Sequence, residues 1–144
     1  AHETIIKNIE LIQSSTILSP DQLHQMAFEK FIHNSIEDDS LKIYLENTRE
    51  LYKKISDETV DLIKKHLNFP ILKPDGGLYI FMKVNTNSDD FVKDVFKNTG
   101  VFFIPGWGFG KTGMNAVRIS IGPLVSNPKL IEDGIIKISN YLKK

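Results

Sequence analysis

Arg118 is the residue whose type and setting most clearly indicate chemistry in this sequence. It lies between Val117 and Ile119, in a short apolar run that is typical of a strand. Because side chains alternate between the two faces of a strand, Arg118 and Ser120 should point away from the face on which Val117 and Ile119 pack. A guanidinium is always charged and presents a planar fork of donors that matches a carboxylate or a phosphate. The pattern therefore predicts either an anion-binding arginine or an ion pair at the sheet surface.

A glycine-rich stretch precedes this strand. Gly108, Gly110 and Gly113 satisfy the G-x-G-x-x-G pattern of dinucleotide-binding loops, and the residues Gly-Lys-Thr within it are similar to the end of a phosphate-binding P-loop. Both motifs require a helix directly afterwards, so that its N-terminal amides meet the phosphates. Here a strand pattern follows from Ala116 instead. A glycine-rich turn between two strands is therefore favoured over nucleotide binding.

The remaining polar candidates give weaker signals. No two of the four histidines have the H-x-x-x-H spacing of a metal site, so no metal ligand is predicted. The acidic clusters stand at predicted helix starts or on solvated faces, where helix-end electrostatics accounts for most of them. No serine or lysine has the local signature of a nucleophile. Tyr79 and Phe81 lie on the strand face opposite an aliphatic set; core packing is predicted for both, although an aromatic beside a turn can also line a cleft.

Helices are predicted for the first half of the chain. Residues 1–18 have a loose helical rhythm that Gln13-Ser-Ser-Thr16 interrupts. Ser19 as N-cap and Pro20 at the first helical position then start the first well-marked helix. A longer apolar stripe predicts a helix from Ile36 to Leu67.

Short strands and helices alternate after residue 70. Strands are predicted over residues 78–84, 101–104 and 117–121, with a helix capped by Ser88 after the first of them. Asn127 and Pro128 start the closing helix. The predicted fold is α/β (α+β-like), in the order helix-helix-strand-helix-strand-strand-helix. A small sheet of about three strands is covered by helices on one side.

The composition fits one ordinary globular domain. The 144 residues are 41% hydrophobic and 25% charged, without cysteine, which leaves out disulfides and thiolate chemistry. The 18 basic and 18 acidic side chains cancel, so nothing global attracts nucleic acid or an anionic membrane. No apolar run approaches the roughly 20 residues of a membrane span, and no signal-peptide layout is present, so a cytoplasmic location is expected. The first residue, Ala1, fits either an excised fragment or removal of an initiator methionine.

Four segments, taken in order, resemble the C-terminal part of class I/II aminotransferases, the pyridoxal-phosphate enzymes of the aspartate aminotransferase fold. Their combination is specific, whereas any one alone would be weak. The resemblance covers nearly the whole chain as a single domain, with residues 1–35 as the connecting segment and helix from the large domain and 36–144 as the small domain proper. The segments are Lys73-Pro-Asp-Gly-Gly-Leu-Tyr-Ile-Phe-Met-Lys-Val84, Gly100-Val-Phe-Phe-Ile-Pro-Gly-Trp-Gly-Phe-Gly110, Val117-Arg-Ile-Ser120 and Ile131-Glu-Asp-Gly-Ile135.

The resemblance implies specific binding roles. In the family, the arginine of the Arg-Ile-Ser strand binds the α-carboxylate of the substrate, and Arg118 matches it. The turn that approaches the substrate from the small domain is matched by Gly76, Gly77 and Leu78. A stretch that lies near the partner subunit's active site in family dimers is matched by Ser14, Ser15 and Thr16. The resemblance therefore implies a homodimer in the parent enzyme, with a cofactor contact across the subunits.

The chain also departs from the family. It has neither the segment that carries the Schiff-base lysine nor the residues that hold the pyridine ring and phosphate, all of which belong to an upstream large domain in that family. The resemblance thus implies a parent enzyme that uses pyridoxal phosphate to transfer an amino group between an amino acid and a 2-oxo acid. This chain alone would be inactive and would contribute no catalytic residue. Two alternatives are a ligand-sensing domain of a transcription regulator and a non-catalytic interaction module.

Overall fold

A computed structural model describes residues 1–19, 21–72 and 74–143. Within them five α-helices and four strands fall into two compact units, Ala1–Glu46 and Asn47–Lys144. The predicted α/β class with a small sheet is confirmed. The boundary between the units lies inside the third helix, and the division into a connecting segment and a small domain proper stays a prediction. In chain order the elements are α1 (Glu3–Thr16), α2 (Gln22–Glu37), α3 (Ser40–His66), β1 (Ile71–Leu72), β2 (Tyr79–Lys83), α4 (Ser88–Thr99), β3 (Ile104–Pro105), β4 (Ala116–Ser120) and α5 (Lys129–Leu142).

Helix α1 continues through the three hydroxyl residues that were expected to interrupt it. The side chains of Ser14, Ser15 and Thr16 donate hydrogen bonds of 2.7–2.9 Å to the backbone carbonyls of Leu11 and Ile12. Hydroxyls bonded in this way to the preceding turn are compatible with helical backbone. The predicted break at this segment is therefore wrong, and the order of elements gains a helix.

Helix α2 begins two residues later than predicted. Its N-cap is Asp21 rather than Ser19, because the Asp21 carboxylate accepts hydrogen bonds from the amides of Leu23 and His24 at 2.8 and 3.4 Å. The His24 side chain, and then the two amides, lower the pKa of Asp21. The predicted N1 residue, Pro20, lies outside the described residues.

The apolar stripes of the first two helices are exposed. Among the described residues α1 buries no side chain, and α2 buries Ser35. The periodicity therefore predicts helices here, but these faces add nothing to the core of the described chain. The exposed set comprises Ile5, Ile6, Ile9, Leu11, Ile12, Leu23, Met26, Phe28, Phe31 and Ile36.

The second unit is built on an antiparallel sheet in the order β1-β2-β4-β3. It has one strand more than expected, because β1 is only two residues long and gives no readable alternation. Strand β3 is shorter than predicted, since residues 101–103 do not join the sheet. Strand β4 is central, with β2 on one side and β3 on the other.

One face of the sheet forms the core with three helices. Ile80 and Met82 of β2 and Val117 and Ile119 of β4 are buried there, as their alternation predicts. The buried residues of the helices that join them are Ile55, Val60 and Ile63 of α3, Phe91, Val92 and Val95 of α4, and Ile131, Ile135 and Ile138 of α5. The opposite face of the sheet is left with the polar and aromatic side chains of β2 and β4.

The ends of α4 and α5 differ slightly from prediction. Asn87, not Ser88, caps α4, since its side-chain oxygen accepts a hydrogen bond of 2.9 Å from the amide of Asp89. Pro128, not Asn127, stands at the N-cap position of α5. Among the described residues, no helix is both long enough and apolar enough to cross a membrane.

Candidate functional site

Arg118 lies at the middle of β4, on the sheet face that does not form the core. It stands opposite Phe81 of β2 and Ile104 of β3, so its backbone is held by strands on both sides. Its neighbours Val117 and Ile119 are buried on the other face, while Arg118 itself is half-buried. The predicted outward direction of this side chain is confirmed.

Two aromatic rings lie against the Arg118 guanidinium. Its Cζ atom lies 4.1 Å from the centre of the Tyr79 ring and 4.7 Å from the centre of the Phe109 ring. Phe109 in turn meets Phe81 edge to face, with ring centres 5.4 Å apart. Tyr79 is 43% exposed, so the predicted core packing of this residue is wrong; it lines the outer face of the sheet with Arg118.

The glycine-rich stretch carries Phe109 to this face. It forms two short 3-10 turns, Gly106–Phe109 and Lys111–Gly113, and then leads into β4, as the predicted turn between two strands requires. Gly106 and Gly113 lie so close together that a methyl group on either would overlap backbone atoms of the other. The loop is therefore folded back on itself in a way that only glycine permits at these two positions.

No ion pair to Arg118 is formed within the described part of the chain. Its Nε atom is buried and has no hydrogen-bond partner there, whereas its Nη atoms are not among the buried unpaired groups. A buried donor without an acceptor costs free energy, and a fixed guanidinium without a carboxylate is free to bind an anion from outside. The alternative of a surface ion pair finds no partner among the described side chains.

The turn before β2 lies at the end of β4. The Leu78 carbonyl accepts a hydrogen bond of 3.0 Å from the amide of Ile121, and Gly77 adopts a φ of +86°, which favours glycine. Gly76, Gly77 and Leu78 line a cleft of about 410 Å³ together with one side of α3. The structure thus brings Leu78 beside β4, but the contacts it shows for Arg118 are with Tyr79 and Phe109.

The other predicted site segment belongs to the first unit. Ser14, Ser15 and Thr16 form the last turn of α1, where their hydroxyls are bonded to its own backbone. Within residues 1–19, 21–72 and 74–143, no group of three or more histidine, aspartate and glutamate side chains is arranged to hold a metal ion.

The sequence does not indicate Phe109 as a site residue, and it predicts core packing for Tyr79, with a place lining a cleft as the alternative. Tyr79 could have been found, because Tyr79, Phe81 and Arg118 occupy one sheet face once β2 and β4 are paired in register. Phe109 could not, because its place depends on how the glycine-rich loop folds back over the sheet.

Comparison with known proteins points to one class of enzyme. No protein-family model matches the chain. The LL-diaminopimelate aminotransferase of Oleidesulfovibrio alaskensis is 31% identical over 99 residues, which is 67% of this chain and 24% of that protein. The (5-formylfuran-3-yl)methyl phosphate transaminase of Methanocaldococcus jannaschii is 26% identical over 148 aligned residues, covering 100% of this chain and 36% of that protein. The chain therefore spans only about a quarter to a third of the length of these relatives.

Solved structures agree with this assignment. The aromatic aminotransferase of Pyrococcus horikoshii has a TM-score of 0.68 at 25% identity, covering 76% of this chain and 29% of that chain. A Thermus thermophilus aspartate aminotransferase mutant, at 20% identity, has a TM-score of 0.73 and covers 94% of this chain and 36% of its own. The second unit thus has the fold of an aminotransferase small domain. The chain as a whole is homologous to aminotransferases, and its resemblance to their C-terminal region is confirmed.

Proposed function

We propose that this chain is the substrate-carboxylate-binding part of a pyridoxal-phosphate-dependent aminotransferase. The observation that carries the proposal is Arg118, a half-buried guanidinium on the outer face of the sheet with no acidic partner among the described residues. An amino acid and a 2-oxo acid share an α-carboxylate, so one planar fork of donors serves both sides of an amino-group transfer. The homology to aminotransferases supports the same conclusion.

The cofactor does not fit the residues around Arg118. A pyridoxal phosphate site needs several donors for the phosphate, a partner for the ring nitrogen and a lysine that reacts with the aldehyde. The surroundings of Arg118 instead supply one guanidinium with two aromatic rings against it. The group that these residues suit is a planar carboxylate, and we propose that the cofactor is held by a domain outside this chain, so that the chain alone is inactive.

Three further proposals rest on the resemblance. The Gly76–Leu78 turn approaches the substrate from the side of α3. The complete protein is a cytoplasmic homodimer, in which Ser14–Thr16 lies near the active site of the partner subunit. Its mass in solution, measured by light scattering, tests the dimer: a monomer at working concentration contradicts this assembly.

Replacement of Arg118 by alanine in the complete protein tests the central proposal. A panel of L-amino acids with 2-oxoglutarate as amino acceptor first identifies the best amino donor. Arg118→Ala should then raise the KM for that donor by a factor of about ten to a hundred, because a charge-assisted bond is worth about 1.5–3 kcal/mol. Bound cofactor, measured by its absorbance, should be unchanged.

Lys97→Ala provides the matched control. Lys97 is an exposed cation in the last turn of α4, so its loss changes the net charge by the same amount without touching the outer sheet face. Its KM should stay that of the unmodified protein. An Arg118→Ala protein with an unchanged KM would overturn the proposed function.

A further inference from the structure

The arrangement around Arg118 contains more than an anion-binding group. Tyr79 comes from β2 and Phe109 from the loop after β3, and the two rings meet the guanidinium from separate elements. Both side chains remain about half exposed, at 43% and 49%, so neither is buried as a core residue would be. Their rings are held against a cation instead of against the aliphatic core.

We propose that Tyr79 and Phe109 are positioning residues that form an aromatic clamp on Arg118 and fix the plane in which a carboxylate can approach it. The inference rests on the proposed function of Arg118. A cation within about 6 Å of a ring centre is attracted to the ring face, and the distances of 4.1 and 4.7 Å satisfy this for both rings.

The clamp also determines which donors remain available. Nε is buried, so the edge of the guanidinium that contains Nε is closed to a ligand. The terminal Nη groups stay open, and a carboxylate reaches both of them only when it lies in the guanidinium plane. Holding that plane before the ligand arrives removes the entropy cost of ordering a long side chain on binding.

Phe81 and the glycine pair support the clamp. Phe81 stands opposite Arg118 in the sheet and meets the Phe109 ring edge to face, so Phe109 has a second neighbour besides the cation. The close approach of Gly106 to Gly113 shapes the loop that carries Phe109. A side chain on a loop thereby gains a defined position on the sheet.

The test measures preference for a carboxylate in the complete protein. The probes are the best L-amino acid of the panel and the amine that lacks only its carboxyl group, each followed through the half-reaction by the cofactor's absorbance. The ratio of the two kcat/KM values reports the carboxylate contact alone. Tyr79→Leu and Phe109→Leu should each lower this ratio about threefold to thirtyfold through KM for the amino acid, with the amine rate unchanged.

Two control variants accompany them. Tyr79→Phe keeps the ring and removes only the hydroxyl. Phe102→Leu removes a 60% exposed ring that packs edge to face with Phe96 and is not one of the two rings over the guanidinium. Both should keep the ratio of the unmodified protein. Because Tyr79 and Phe109 are half exposed, their leucine variants are expected to fold, and a circular dichroism spectrum checks this.

The outcomes separate the clamp from the proposed function. If both leucine variants keep the ratio, or lower amino acid and amine rates equally, the clamp is refuted and the two rings are merely structural. If Arg118→Ala itself keeps the ratio, the carboxylate-binding function fails, and the clamp with it. If the ratio of the two kcat/KM values falls strongly in Arg118→Ala but not in the leucine variants, the clamp is refuted and the carboxylate-binding function is not.

Discussion

Substitution by alanine should destabilise the chain at two glycines of one loop and not at a third. A methyl group added to Gly113 would overlap the backbone carbonyl group of Gly106, and one added to Gly106 would overlap the carbonyl oxygens of Gly113 and Ala116. At Gly108 an added methyl group meets no atom within 4 Å. Because backbone atoms cannot move aside as a flexible side chain can, Gly113→Ala and Gly106→Ala must displace the loop.

The expected cost follows from this overlap. Forcing an extra methyl group into a filled site lowers the free energy of unfolding by about 1–3 kcal/mol. The second unit contains most of the buried core, and for a unit of roughly 100 residues each kcal/mol lowers Tm by about 4–8 °C. Gly108→Ala should leave Tm unchanged or raise it slightly, because alanine restricts the unfolded chain.

Thermal unfolding of the 144-residue chain, followed by circular dichroism, measures these differences. Gly108→Ala is the matched control, since it adds the same group to the same loop. A Gly113→Ala protein that melts together with Gly108→Ala would refute the close approach, and with it the account of how the loop positions Phe109.

Two further predictions concern α5. Ile138→Ala should lower the free energy of unfolding, measured in urea, by about 2–5 kcal/mol, because this side chain is fully buried. Leu142→Ala, one turn later and 42% exposed, should lower it clearly less. Equal losses of free energy in the two variants would contradict the core described above. The Tyr141 hydroxyl donates to the Asp94 carboxylate, which raises the pKa of Tyr141 above its usual 10.0. The native state is thus stabilised by the neutral phenol below pH 10, and this contribution is lost as the pH rises through the folded-state pKa. Between about pH 9 and 12, the Tm of the unmodified chain should fall more steeply with pH than the Tm of Tyr141→Phe. An equal fall of Tm in both proteins would refute this hydrogen bond as the cause.

The sequence predicts that Arg118 lies on the outer face of the sheet, but it does not predict which side chains surround Arg118 there. Alternation in β4 is sufficient to place Arg118 away from Val117 and Ile119, because the period of a strand is fixed by its backbone. The register between β2 and β4 depends on tertiary packing, and it is the register that puts Phe81 opposite Arg118. The position of Phe109 depends further on a glycine contact seven residues apart, for which no local pattern exists.

The first two helices show a second limit on what the sequence predicts. Apolar periodicity predicts α2 from local spacing and gives a loose helical rhythm over α1, and both helices are present. The same periodicity says that one face of each helix suits an apolar partner, but it cannot name that partner. Their apolar side chains are exposed in the described chain, so helix formation and core membership are separate predictions here.

Arg118 is a charged residue at a strand position where its neighbours are apolar, and this difference suggests a role other than stability. A position on a central strand, between two paired strands, favours a β-branched or aromatic residue. The Nε atom of Arg118 is buried at this position and has no hydrogen-bond acceptor among the described residues. Stability alone would favour an apolar side chain of similar volume at such a place. The cation is held in position by two aromatic rings and a folded glycine loop, which is more structure than a solvated surface charge requires. A guanidinium ordered in this way, with no carboxylate for it among the described residues, supports our proposal that the carboxylate comes from a ligand.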